Sequence, residues 1–578
     1  MSLIFRRFSM FSLMALTLLA TAQINAQPTT NEIPASRLHR LPPGFFEPTL
    51  RVPFVPPTGV DIVNPAEFCR ADAMIISWTS WHAIELLEMT RVVAEDDRVI
   101  CIYSSASEYA DAFQGMTDFG VNMTNVHFLE TAAATVWIRD YGPFCAYDDG
   151  QLAISDFRYG TGGDWDAIPI AIAEDAGLPW YRTNLTHTGG NHLTDGNGMG
   201  FFTTNLTQGN SSWSQAQIEE EMKAYLGLES LVVFGTMEGD MTGHCDMFVK
   251  LLNDTLFVVG EYEDPAHAMG NDAAFLDGLA AMLDNLVNLD GRDFEVRRIP
   301  MLPINSSFPY NRTYTNSLIL NDKVLVPIYG TEMDRDALDV YAECMPRHEI
   351  VGINCEELIP YLGAIHCVTS TLHDANPLTI LHEPLLVAEA GDSPVLDCRL
   401  NPRFTDREVE LHYVPENGAE ATVTAEFDGG VWRAQLPTLE GDFQYWFTAR
   451  VFTEALTMEA SLPVDAPTQV FMVEVETTTG TGPLSASAPS LRAWPNPCNP
   501  RTLLAFTLAE DAVVDLEVYD LSGRRQRALV MDQPLGRGVH EFAWSGQDDV
   551  GRALPSGVYL ARLRAGDASS TRRVTLVR

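Results

Sequence analysis

Basic residues are scarce in this 578-residue chain: 37 Lys and Arg stand against 78 Asp and Glu, a net charge of −41. A phosphate-backbone partner needs a basic face, so nucleic-acid binding is excluded. The same acidity suits a cationic substrate, although solubility alone explains it in many secreted proteins. No stretch reaches about 18 apolar residues, so no transmembrane helix is expected. Cysteine is sparse too. The nine present are an odd number, so at least one thiol stays unpaired within the chain. None shows C-x-x-C spacing and no zinc pattern appears, which argues against a zinc hydrolase. Cys344 and Cys355 are near enough in sequence to pair. The run Gly196-Asn-Gly198-Met-Gly200 lacks the final glycine of a dinucleotide loop and opens no helix directly. Neither cofactor nor metal is expected.

What is present divides the chain. Arg6 and Arg7 precede an apolar run ending at Leu19, with small-residue cleavage sites after Ala22 or Ala26. Residues 1–26 therefore read as a signal peptide, and the mature protein as secreted or held at the cell surface. Residues 40–380 alternate hairpins, amphipathic helices and single strands. The clearest unit pairs Met247–Leu252 with Thr255–Tyr262 across Asn253-Asp254, then predicts a helix over Ala273–Leu289 and a strand at Phe294–Ile299. The order repeats from Asn316 to Ile353. An earlier copy has a helix opening at Ser214, with Gln217 completing a capping box and Gly227 as its stop. About five ββαβ-like units result, which a ring could close without open sheet edges. From residue 385 helical signals stop: 385–475 reads as a small β-sandwich, 476–491 as a flexible linker, and 492–578 as a second all-β domain.

The chemically useful side chains fall at one place in the repeat, at or just before each unit's first strand. They are Asp140 (in Trp137-Ile-Arg-Asp140), Asn191 and Asp195, His244 and Asp246, Asn316, and Cys367. Equivalent ends of ring-arranged units converge, so these distant residues could share one pocket. A guanidinium is planar, charged and resonance-stabilised, which makes its carbon a poor electrophile. Two carboxylates, Asp140 and Asp246, could hold it in bidentate hydrogen bonds before a thiolate at Cys367. His244 would protonate the departing ammonia and then activate water. Cys245, between His244 and Asp246, should face the other way by strand alternation and be structural.

The segments W-I-R-D-Y-G-P-F, G-G-N-H-L-T-D-G, G-H-C-D-M-F, Y-T-N-S-L-I-L-N and I-H-C-V-T occur here in family order. Over about 340 residues the chain resembles the family joining bacterial peptidylarginine deiminases with agmatine deiminases, in the guanidino-group-modifying (pentein) superfamily. The resemblance implies a five-bladed α/β-propeller as the catalytic domain, with two small all-β domains appended. It implies Cys367 as nucleophile, His244 as acid and base, Asp140 and Asp246 as guanidinium ligands, Asn316 as an active-site amide and Trp137 as a pocket wall. The signal peptide and the segments around Asp195 and Asn316 favour a secreted peptidylarginine deiminase making citrulline. An agmatine deiminase yielding N-carbamoylputrescine is the alternative, and a surface adhesin on an inactive propeller is the non-enzymatic one. After Asp156-Phe-Arg-Tyr159 the arginines expected to grip a peptide carboxylate are missing, leaving Arg158 as a substitute. Trp494-Pro-Asn-Pro-Cys-Asn-Pro500 and the strands beyond it resemble FlgD-like sorting domains, implying the type IX secretion machinery as a partner.

Overall fold

A computed structural model describes residues 54–476 and 491–576, with short breaks such as 132–134, 161–163 and 495–497. The expected signal peptide (1–26) and nearly all of the linker (476–491) lie outside the described residues.

Residues 62–373 build five small mixed sheets. Four of them repeat one register plan: an antiparallel pair, then a parallel third strand after a connecting helix. Val249–Leu251 pairs antiparallel with Leu256–Glu261, which pairs parallel with Glu295–Pro300. Leu318–Leu320, Lys323–Ile328 and Glu349–Asn354 follow the same plan. So do Leu193–Thr194, Met199–Thr203 and Ser230–Phe234. Phe144–Asp148, Gln151–Arg158 and Trp180–Thr186 do as well, with Ile62–Val63 added at the edge. In the fifth sheet Thr369–His373 pairs antiparallel with Ala71–Ser77, joining the two ends of this stretch. Arg98–Tyr103 and Val126–Glu130 continue that sheet in parallel.

The helices lie where apolar stripes require. In Asp272–Asp284, Leu276, Leu279 and Leu283 are buried in one core with Phe257 and Phe294, each contributing about 2 kcal/mol by leaving water. Gln215–Leu226 carries the expected capping box at Ser214 and stops at Gly227, whose φ of 67° lies in the left-handed region. One expectation is overturned in kind. Cys245–Met247 is a 3-10 turn rather than the start of a strand, so alternation does not decide where Cys245 points. Its thiol packs instead beneath the Gly190 and Phe201 carbonyls. Cys344 and Cys355 are not bonded: Cys344 ends the helix Met333–Cys344, Cys355 is buried after the following strand, and both are free thiols.

Beyond residue 378 all described elements are strands. Thr379–Leu381 already pairs with Val395–Asn401, and two sheets enclose a core that includes Leu411, Trp432, Tyr445 and Phe471. Residues 491–576 form two further sheets around Leu516, Trp544 and Leu563. The first of these regions shares apolar packing with the preceding sheets, since Phe404, Val451 and Met458 join the cluster of Tyr147 and Ile154.

Candidate active site

Most candidate side chains sit on or beside a short turn ahead of a first strand; Asp195 follows one and Arg158 ends a strand. The turns are Ile138–Tyr141, Gly189–Asn191, Cys245–Met247 and His366–Val368, with Asn316 just before Leu318–Leu320.

The turns meet at two glycines. A Cβ added at Gly190 would come within 2.5 Å of His244 Nδ1, 3.2 Å of Asp246 Oδ2 and 3.3 Å of Asp140 Oδ1. A Cβ at Gly363 would strike Trp137 Cζ3 at 2.5 Å and Cys367 Sγ at 3.0 Å. Only a bare Cα allows these side chains to approach so closely. Asp140, His244 and Asp246 thus converge at Gly190, Trp137 lies against Cys367 at Gly363, and Asp246 and Asn316 reach Cys367 through their own side chains.

The hydrogen bonds divide the set by task. Asn316 Nδ2 donates to Cys367 Sγ at 3.2 Å, while its Oδ1 accepts from the backbone N–H of Ala364 at 3.1 Å and of Cys367 at 3.3 Å. This amide clamps the turn that carries the thiol. Cys367 Sγ is 3.7 Å from Asp246 Oδ2. His244 Nδ1 is 3.6 Å from Asp140 Oδ1, and its Nε2 is 3.1 Å from Thr188 Oγ1. Asp140 Oδ1 and Asp246 Oδ1 are both buried with no hydrogen-bond partner among the described residues. Two such acceptors beside one thiol suit a multi-donor cation, because a buried carboxylate oxygen left unpaired is costly.

The electrostatics follow from this burial. Cys367 is 4% exposed, and burial pushes its thiol pKa well up, with Asp246 and Asp140 adding to the push and the Asn316 hydrogen bond opposing it. Burial also raises the Asp140 carboxyl, which His244 opposes and Asp246 reinforces.

Beneath the site lies a layer of charges that sequence reasoning missed. His366 Nδ1 is 2.7 Å from Asp246 Oδ2 and its Nε2 is 2.6 Å from Glu67 Oε2. Glu67 Oε1 accepts from Lys250 Nζ at 2.5 Å and from the Ile319 N–H at 2.7 Å. Arg139 turns away from its neighbour Asp140; its Nε donates to the His366 carbonyl at 3.2 Å and its Nη2 is 3.9 Å from Glu67. Burial would raise the Glu67 carboxyl, yet Lys250, His366 and Arg139 together hold it well below the usual carboxylate range. A cavity of about 60 Å³, bordered by Glu67, Arg139, Lys250 and His373 together with apolar residues such as Phe144 and Leu193, adjoins this layer, roomy enough for water. Tyr159 was missed as well. Its hydroxyl lies 3.4 Å from Asp140 Oδ2, and the only signal was its place after Asp156-Phe-Arg.

Three residues expected to touch substrate have other contacts or an exposed place. Asn191 Oδ1 accepts the Thr203 N–H at 2.8 Å, so this amide braces its own loop. Asp195 Oδ1 accepts the N–H groups of Asn197 and Met199 at 2.8 and 2.9 Å, and its carbonyl accepts from Asn401 at 2.7 Å. With no exposed surface, Asp195 shapes the turn against the next region. Arg158 ends its strand with an exposed side chain, and Tyr159 is the residue that reaches Asp140.

Known proteins share this stretch. A Vibrio parahaemolyticus protein provisionally named agmatine deiminase is 25% identical over 358 residues, 53% of this chain and 96% of that protein. The solved agmatine deiminase of Enterococcus faecalis is 21% identical with a TM-score of 0.48, covering 54% of this chain and 96% of that one. That of C. jejuni is 18% identical with a TM-score of 0.47 over the same shares, 54% and 96%. The family model described as Porphyromonas-type peptidyl-arginine deiminase matches residues 63–372, more than half of the chain. The chain therefore belongs to that family, among the guanidino-group-modifying deiminases.

Proposed function

We propose that the chain hydrolyses the guanidinium of a small guanidine of the agmatine type, releasing ammonia and leaving a ureido product. The observation that carries this is the pair of buried carboxylate oxygens, Asp140 Oδ1 and Asp246 Oδ1, beside Cys367 and His244. Burial raises the thiol most and the two carboxylates add to it; a guanidinium held between them offsets their share, so substrate binding favours the thiolate. The thiol's proton passes to His244 as the sulfur adds to the guanidinium carbon, His244 gives that proton to the departing nitrogen, and the C–N bond breaks to release ammonia and leave an S-linked amidinium on Cys367. Water deprotonated by His244 then adds to the same carbon, and the C–S bond breaks to return the thiol. Asn316 steadies the sulfur through both stages. The five sheets, in this reading, stand as blades of one ring.

The relatives named as agmatine deiminases support a substrate without a carboxylate. So does Arg182, whose guanidinium is committed to Asp156 at 3.1 Å and Asp166 at 3.4 Å rather than left to a peptide terminus. Peptide-bound arginine is the second reading, favoured by the family's description. Export, with sorting through residues 492–578, rests on sequence motifs alone, and detecting the chain in medium or at the cell surface tests it.

Agmatine, free arginine, and peptides with internal or terminal arginine should be offered to the pure protein and to its Cys367→Ala variant. Agmatine is expected to be turned over fastest, and no substrate by the variant. Faster release from peptides selects the second reading. If no guanidine at all is turned over, the deiminase assignment fails.

A further inference from the structure

We propose that His366, protonated on both ring nitrogens, is a positioning residue that fixes Asp246 as an anion with Oδ1 turned to the guanidinium. The proposal rests on the deiminase reading for its purpose, but its geometry stands apart from it. The ring is 1% exposed, and each nitrogen lies within hydrogen-bond distance of a carboxylate oxygen: Nδ1 of Asp246 and Nε2 of Glu67. A neutral imidazole has one donor and one acceptor nitrogen, so it would set a lone pair against one of those carboxylates.

The remaining contacts decide which partner carries protons. Glu67 already accepts from Lys250 and the Ile319 N–H through its other oxygen, and lies near Arg139, so it stands ionised. Nε2 must then donate. Placing the other shared proton on Asp246 would remove the negative charge beside the thiol and weaken its hold on a cation. Both short contacts and an anionic Asp246 coexist only with the doubly protonated ring. The His366 backbone N–H donates to the Asn316 carbonyl at 3.1 Å and its own carbonyl accepts from Arg139, which pins the backbone from which the ring reaches Asp246 and Glu67. The groups facing it are therefore Asp246, Glu67 and Arg139, with Lys250 behind Glu67, His192 within electrostatic reach and Cys367 next in the chain. Because His366 occupies Asp246 Oδ2, Oδ1 is the oxygen left for substrate.

Two measurements on the full chain test this. In nitrogen-15 NMR of histidine-labelled protein, with His366→Asn identifying the resonance, both ring nitrogens of His366 should carry protons at neutral pH. A single-proton tautomer there overturns the proposal whether or not any guanidine is turned over. In kinetics with the best guanidine substrate, His366→Leu should raise KM about tenfold with a smaller change in kcat. His366→Asn, whose amide can still donate toward Asp246, should hold KM within about threefold of the parent. Equal impairment of the two folded variants, or an unchanged KM in His366→Leu, overturns it.

Discussion

Two parts of the molecule use ion pairs in opposite ways. Under the candidate site, Glu67, Lys250, Arg139, His366 and Asp246 form a connected layer in which the Lys250 and Asp246 side chains have no exposed surface. On the strand Phe443–Phe452, Arg450 meets Glu408, Glu410 and Glu459 with every partner at least 30% exposed. The residue types are alike, but water sets their weight. Surface pairs exchange hydration for a loose contact and contribute little. In the buried layer each charge has replaced water with named partners, so removing one strands the others. Such a layer is a poor source of net stability and a good means of holding one geometry.

The largest expected effect tests that contrast directly. Lys250→Met should destabilise the fold by about 3–5 kcal/mol, because Glu67 loses its counter-ion in a buried setting; denaturant unfolding measures it, and a loss comparable with a surface variant would erase the distinction. Gly190→Ala changes no charge, yet its methyl would crowd His244 Nδ1, Asp246 and Asp140. It should lower turnover about 100-fold with modest loss of stability; unaltered kinetics would mean that the convergence at Gly190 is not the reacting centre. Asp195→Asn is smaller and opposite in sign. Burial raises the Asp195 carboxyl to about 7 from 3.8, so the folded state holds a proton that the unfolded state has released between those values. Parent stability therefore falls as pH rises across that window and levels above it. The variant lacks this fall, so its melting temperature should exceed the parent's increasingly up to about pH 7 and by a constant margin beyond. Arg450→Ala should leave the melting temperature unchanged within error, and a clear drop would show that the surface pairs matter after all.

What could be read from sequence follows the same physical divide. Hairpins announced themselves through turn pairs such as Asn253-Asp254 and Asn321-Asp322, where Asn321 has a φ of 51°. Helix Gln215–Leu226 was legible from its caps. Cys367, His244, Asp140, Asp246 and Asn316 stood out because each lies in a short polar motif before an apolar strand. Glu67 had no such setting: it precedes Ala71–Ser77 and meets His366 across 299 positions. Lys250 reads as an ordinary strand residue until its neighbours are known. Three-residue turns such as His366–Val368 carry no period to detect. Arg525–Leu535 and Ala568–Leu576 escaped notice because charged and polar residues blur their alternation.

The pairing of Thr369–His373 with Ala71–Ser77 has a consequence for the order of events during synthesis. Roughly 300 residues must leave the ribosome before the strand that follows Cys367 can find its partner, and contacts this distant in sequence form slowly. Until then Ala71–Ser77 offers an unpaired edge, and Cys367 is not yet beside Asn316 or Asp246. The candidate site is thus the last part of residues 62–373 to come together, by the same pairing that covers the open edge of Ala71–Ser77, while the all-β regions beyond residue 378 are still to be made.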